Sequence, residues 1–415
     1  MRRSRVPAPH ERGDRSGPWA AVGCLLAACG PAVAGAAAAD AAPALGPEFV
    51  ITQPARDVGL AGSAQGRFVV VWSTEFEAGE MVGRLYRATG DTTDFAVGEA
   101  YEYFTDAKIA FAADDGFVVV WQLHSHDPAT FLPRMRLYDA DAVARTDQIP
   151  TTDGLAVTRL ADDRYAAIGI SEGHFYDRNG NASGNPFATP WPPTSDIPYP
   201  ALAPHPDGGF VLAWNDERTI PGDDPILAQR FSPAGEPLTA RERVDDQLPL
   251  ELRGSPSIVA DDDGFLVAWH ARADGAEDYR IRAKTVDASG LPVGTELALS
   301  VPALGSAVSP GPATSGGETL LVWSSELSAG TDDSGSSIQA RFLAASGQPV
   351  SAPFQVNEST LGDQWRPLAA GLGQGRFVVV WREDDYGLRG RILEGPLFAD
   401  GFESGDTSAW SATVP

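Results

Sequence analysis

Acidic side chains gather in the segments that follow a recurrent tryptophan, and they define the first chemistry the chain could support. Glu75, Glu77 and Glu80 follow Trp72; Asp216, Glu217, Asp223 and Asp224 follow Trp214; Asp274, Glu277 and Asp278 follow Trp269. Asp332 and Asp333 follow Trp323, and Glu383, Asp384 and Asp385 follow Trp381. Carboxylates on one rim could hold Ca²⁺, a hard cation that takes many oxygen ligands, or steer a basic partner. None of these loops has the D-x-D-x-D-G spacing of a calcium loop, so a solvated acidic shell is the simpler account.

Two other groups could do chemistry. His124, His126 and Asp127 put two imidazoles and a carboxylate into one loop, a candidate metal chelate on which His174 and His270 could converge. A polar loop without metal is the competing account. Trp191, Tyr199 and Trp365 are candidate ligand-face aromatics, set among prolines in Pro190-Trp191-Pro192-Pro193 and Gln364-Trp365-Arg366-Pro367. Tyr101, Tyr103 and Phe104 add a third aromatic group. Rigid aromatic platforms suit sugars or peptide segments; packing of long loops over strand ends is the alternative. No catalytic motif accompanies any of these residues.

The elements that must position them repeat. Six segments run from glycine through branched residues to tryptophan: GRFVVVW (Gly66 to Trp72), GFVVVW (Gly116 to Trp121), GGFVLAW (Gly208 to Trp214), GFLVAW (Gly264 to Trp269), GETLLVW (Gly317 to Trp323) and GRFVVVW (Gly375 to Trp381). A seventh, decayed copy, DRYAAIGI (Asp163 to Ile170), has Gly169 in the tryptophan position. Alternate side chains of a strand face opposite ways, so Phe68, Val70 and Trp72 share one face and Val69 and Val71 the other. Neither face is polar, so both must be covered. A bulky face on one sheet would then meet the small face of the next.

The tryptophan positions recur about every fifty residues, the period of propeller blades with several strands each. A strand such as 256–260 precedes each anchor. One of mixed polarity follows it, as in Gly83-Arg84-Leu85-Tyr86, then a glycine-bearing turn and a fourth strand such as 353–357. The last unit lacks its fourth strand, while an orphan, Glu48 to Gln53, precedes the first. These features predict an all-β chain folded as a single seven-bladed β-propeller, closed by an N-terminal strand that completes the last blade. A string of small sandwich domains is disfavoured, because fifty-residue units without linkers are too small to stand alone.

The expected organisation is a signal peptide over 1–39, a linker over 40–47, the propeller over 48–396 and a tail motif over 397–415. Arg2, Arg3, Arg5, Arg12 and Arg15 form a basic start, and an apolar stretch runs from Trp19 to about Ala34. Leu26-Ala27-Ala28-Cys29 resembles a bacterial lipobox, which would make Cys29 a lipidation site; cleavage among the alanines after it is the alternative. Both cysteines lie in this segment, so the mature domain has no disulfide. A net charge of −25 argues against nucleic acid as a partner.

The repeat resembles the GGFVVVW and QRFDADG repeats of large secreted bacterial proteins, found beside calcium-binding repeat toxins and adhesins. Residues Phe398-Ala399-Asp400-Gly401-Phe402-Glu403-Ser404-Gly405-Asp406-Thr407-Ser408-Ala409-Trp410 resemble a C-terminal tail common on exported Gram-negative proteins. These resemblances imply export, to the medium, the periplasm or an outer-membrane anchor, and carry no catalytic residues. The turns before the anchors fail the sialidase Asp-box, because their tryptophan falls too far from the glycine.

The leading expectation is therefore an exported, non-enzymatic, monomeric propeller that binds or displays, with a glycan, peptide or protein as ligand and no cofactor other than Ca²⁺. Contact with a membrane is expected only through an N-terminal lipid. A hydrolase or lyase working at the central channel is the first alternative, and a channel lined by valine, alanine and serine would count against it. A Ca²⁺-stabilised structural module is the second.

Overall fold

Short runs of β-branched and aromatic residues, punctuated by Asp- and Gly-bearing turns, leave the chain little choice but to pair as antiparallel strands. A computed structural model describes residues 43–395 apart from 75–79, 100–102, 125–130, 192–198, 217–223, 247–250, 262, 274–275 and 385. The chain divides into Met1–Ala38 and Ala39–Pro415, and every described residue lies in the second unit. There the strands form seven four-stranded sheets. The first strand of each sheet touches that of the next, and the last touches the first, so the sheets close into a seven-bladed β-propeller.

Blade one shows the pattern: Arg56–Gly62 innermost, then Phe68–Ser73, Glu80–Tyr86 and Thr92–Glu99. Its second strand is buried on both faces, as its composition requires. Phe68, Val70 and Trp72 pack on Val378, Val380 and Leu388 of blade seven. Val69 and Val71 receive Phe117, Val119 and Trp121 of blade two. Bulky faces thus look toward the preceding blade all round the ring. Trp214, Trp269, Trp323 and Trp381 each lie in a cluster that holds residues of the blade before.

Trp323 is fully buried, and its indole nitrogen has no hydrogen-bond partner among the described residues, so packing dominates its contribution. Trp323→Ala should destabilise the domain by about 3–5 kcal/mol. Trp323→Phe should recover most of that, as read by denaturant unfolding.

Around the axis the innermost strands approach closely. A side chain at Gly371 would bring its Cβ to 1.9 Å from the Thr314 carbonyl oxygen, and one at Gly62 to 2.3 Å from that of Gly371. Only glycine lets two backbones come so near.

The closing strand is Ala44–Thr52, which pairs antiparallel with Leu388–Glu394 so that Phe49 lies opposite Gly390. It starts four residues before the expected Glu48, inside the supposed linker, because the main chain of Ala44 and Leu45 continues the ladder to Glu394 and Leu393. Fourth strands elsewhere are often only two residues long, as in Phe354–Gln355. No described helix is long and apolar enough to cross a membrane.

Candidate functional site

In such a blade the connections after the second and fourth strands open at the same end. Close to that end the innermost strands slip register, between Arg56 and Gly59, Thr105 and Lys108, Asp153 and Ala156, Gly254 and Ser257, Val308 and Gly311, and Trp365 and Leu368. At four of these slips Asp57, Ser255, Ser309 and Arg366 take φ values of 46°, 48°, 58° and 50°. Residues with a Cβ adopt that left-handed conformation at a cost, and such bulges re-aim side chains near functional sites. The repeated bulge singles out this face.

One cavity on it, of about 370 Å³, is lined by Ser336, Asp363, Trp365, Asp384 and Tyr386. Trp365 begins the innermost strand of blade seven and is half-buried. The Arg366 and Arg382 guanidinium groups lie 5.5 and 5.3 Å from its ring centroid and fix the indole by cation–π attraction. Tyr386 sits in the turn between the second and third strands with φ 60°, an uncommon conformation for a bulky residue. Its amide donates to the Glu383 carbonyl at 3.0 Å, its carbonyl accepts from the Ala55 amide at 2.8 Å, and Arg56 lies 4.3 Å from its ring centroid. Tyr386 as a whole remains 40% exposed.

The two carboxylates are held by backbone amides. Asp384 accepts from the Asp363 N–H at 2.9 Å, and Asp363 accepts from the Ser336 N–H at 2.6 Å. The site therefore offers two aromatic surfaces, two acceptor carboxylates and three nearby guanidinium donors. Opposite charges nearly balance there.

The other sequence candidates are placed differently. Trp191 is not a platform: it is only 5% exposed, donates its indole N–H to the Ile170 carbonyl at 2.6 Å and meets Trp214 edge-on at 6.2 Å. It folds inward because it fills the junction between blades three and four, among Ile168, Phe187 and Phe210. Tyr199 stays 64% exposed but is not part of the Trp365 cavity. His124 ends the second strand of blade two, opposite Phe131, while His126, Asp127 and Cys29 lie outside the described residues. The same holds for Glu75, Glu77, Tyr101, Glu217, Asp223, Asp274 and Asp385. Among the described residues no group of three or more His, Cys, Asp or Glu is gathered as metal ligands.

His174 and His270 do not converge. His174 Nδ1 faces the fully buried Asp153 carboxylate at 3.1 Å, and Asp153 also accepts from the Tyr176 hydroxyl at 2.7 Å and the Thr151 hydroxyl at 3.1 Å. Burial pushes the Asp153 carboxyl up, against the lowering by Tyr176 and His174. His270, two blades on, stands edge-on to Tyr279 at 5.1 Å, and burial holds its pKa down at about 4. Asp153 escaped sequence reasoning because Thr151-Thr152-Asp153-Gly154 looks like an ordinary turn.

At the opposite, tight-turn end the axial channel widens into cavities of about 700 and 620 Å³, both bordered by Ala61, Gly62, Ala64 and Ala260. Arg159, His205 and Asp261 are the ionisable residues on these walls.

Between blades six and seven at that end, Glu318 is half-buried against Gly375 and Gly395, and burial pushes its carboxyl up to about 7. The unfolded chain then loses this proton first, from about pH 4.5, so stability falls as pH rises from there through about 7. Glu318→Gln should remove that fall and gain roughly 1–2 kcal/mol at pH 8, after allowance for solvent screening. His270 acts with the opposite sign, so thermal melts of mutant and wild type at pH 5 and pH 8 isolate the Glu318 contribution.

No protein-family model and no curated protein matches the chain. Solved structures do. One is a protein of unknown function from Dyadobacter fermentans, 13% identical, aligned over 85% of this chain and 99% of that one at a TM-score of 0.52. Another is the GH93 α-L-arabinofuranosidase of Fusarium graminearum in complex with arabinobiose, 10% identical, over 84% and 97% of the two chains at a TM-score of 0.50. The protein is thus a seven-bladed β-propeller, and at such identities the likeness speaks for the fold alone.

Proposed function

We propose that the protein is an exported, non-enzymatic propeller that binds a neutral glycan on its bulged face, at the Trp365 cavity. The observation that carries this reading is the mixed lining of that cavity: Trp365 and Tyr386 beside Asp363 and Asp384, with Arg56, Arg366 and Arg382 packed on the aromatic rings. A sugar ring presents an apolar C–H face to stack on an aromatic and hydroxyls that both donate and accept. An ionic ligand would meet near-balanced charge and gain little. The cavity volume suits one sugar unit.

The fold is compatible with a glycan ligand, since the GH93 α-L-arabinofuranosidase, an enzyme of similar fold, was solved with arabinobiose. Binding is favoured over hydrolysis because small residues such as Ala61, Gly62, Ala260, Ala313 and Gly371 line much of the described axial channel, with Arg159, His205 and Asp261 as the ionisable residues among the described walls. Export, with an N-terminus that either bears lipid at Cys29 or is freed by cleavage among the alanines after it, is part of the proposal and rests on the N-terminal and C-terminal sequence motifs. Prolonged incubation with a retained oligosaccharide should return it intact by mass spectrometry. Release of shortened products would transfer the chain to the enzyme reading.

A further inference from the structure

Six blades seat a tryptophan in the groove beside the outer strands of the preceding blade. In blade two, Trp121 lies over Gly98 of blade one. At the matching place between blades two and three there is no indole, because Gly169 stands in the tryptophan position, and the packed cluster shared by these blades contains no tryptophan. A cavity of about 370 Å³ occupies the place instead, bordered by Gly169 itself and by Gln122, Pro133, Arg134, Pro150, Thr151, Thr152 and Ile170.

The floor of this cavity differs from its counterparts in a concerted way. In three other blades an apolar residue, Val244, Leu299 or Val356, donates its amide to the carbonyl of an isoleucine among the first two residues of the third strand, and the next residue caps that isoleucine's own amide. In blade two these places are held by Thr151, whose amide donates to the Pro133 carbonyl at 3.1 Å, and by Pro133, which has no amide to cap. Thr152 is thereby released, and its hydroxyl turns to His174 Nδ1 at 3.3 Å. Beneath the missing indole a threonine thus stands where valine or leucine stands in those blades.

The second observation is Gln122, which lines the cavity, is only 2% exposed, and has a buried side-chain oxygen with no hydrogen-bond partner among the described residues. A buried acceptor left unpaired is costly unless something supplies the donor. From the cavity and this acceptor we infer that the slot is a binding site for an indole-class ring, planar and apolar with one N–H at its edge, either free or as the tryptophan side chain of a peptide. Pro133, Pro150 and Ile170 supply apolar surface for the ring, and Gln122 Oε1 accepts from its N–H.

The experiment titrates the full chain with 5-fluoroindole and, separately, N-acetyl-5-fluorotryptophan amide, followed by ¹⁹F NMR. Saturable binding of fluoroindole alone assigns a free small molecule, and binding of both assigns a peptide side chain; either supports the proposal. Gln122→Leu should weaken binding about tenfold, the worth of one hydrogen bond. Ile170→Trp should occupy the slot from its own wall and abolish binding. Absence of saturation by either probe, or affinity unchanged in Gln122→Leu, would overturn it. Neither outcome touches the glycan reading, which concerns blades six and seven.

Discussion

A chain lacking residues 43–52 is expected to melt roughly 10 °C or more below the full-length protein and to aggregate on heating. The closing strand laces three blades. Glu48 pairs with Arg389 of blade seven at 2.9 Å and accepts the amides of Glu358 and Ser359, beyond blade six, at 2.7 and 3.0 Å. The Ile51 carbonyl accepts from Arg84 of blade one at 2.9 Å, and Phe49 packs on Phe68 and Tyr86 with centroids 6.4 and 5.8 Å apart. Removing the strand therefore opens the edge of Leu388–Glu394 and loosens the seam between the first and last blades. A synthetic peptide of residues 43–53 added in trans should restore part of the lost stability by taking up the vacant edge. An unchanged melting temperature would show that the ring does not depend on this strand.

The second large effect concerns the ligand. Trp365→Ala should weaken glycan binding roughly thirtyfold or more, in the range of a buried aromatic anchor, while Tyr386→Ala should weaken it about tenfold. The fold should survive both changes. Trp365 is half-buried, and its loss removes two cation–π contacts of about 0.5–1 kcal/mol each rather than a core anchor. Titration calorimetry with a retained oligosaccharide, alongside a melting curve of each variant, separates a lost site from a lost fold.

The architecture was legible because it is written in a repeat. Strands such as Phe377 to Trp381 carry no polar face, so their burial on both sides followed from alternation alone, and the fifty-residue period supplied the blade count. The orphan around Phe49 was legible for a similar reason: it resembles a fourth strand, and the last blade wanted one. The site was less legible. Trp365 and Trp191 occur in similar proline-flanked settings, yet one lines a cavity and the other is buried, because only the second finds a junction left open by neighbouring residues.

Tyr386 and Asp153 were invisible for different reasons. Tyr386 matters through its left-handed backbone and its position beside Trp365, neither of which has a one-dimensional signature. Asp153 is buried by partners, Tyr176 and His174, more than twenty residues away. Bulges such as that at Arg366 likewise depend on how a strand meets its neighbours in the ring, and the residue types there do not announce them. The loss of tryptophan at Gly169 was plain in the sequence, but the cavity it leaves could be recognised only once the other six indoles were seen in place.

The most direct measurement is an oligosaccharide array probed in parallel with the full-length protein and its Trp365→Ala variant, both shown folded by circular dichroism. The wild type should retain at least one uncharged glycan that the variant fails to retain. No retained glycan, or the same glycans held equally by both proteins, would contradict the assignment of the Trp365 cavity as the binding site.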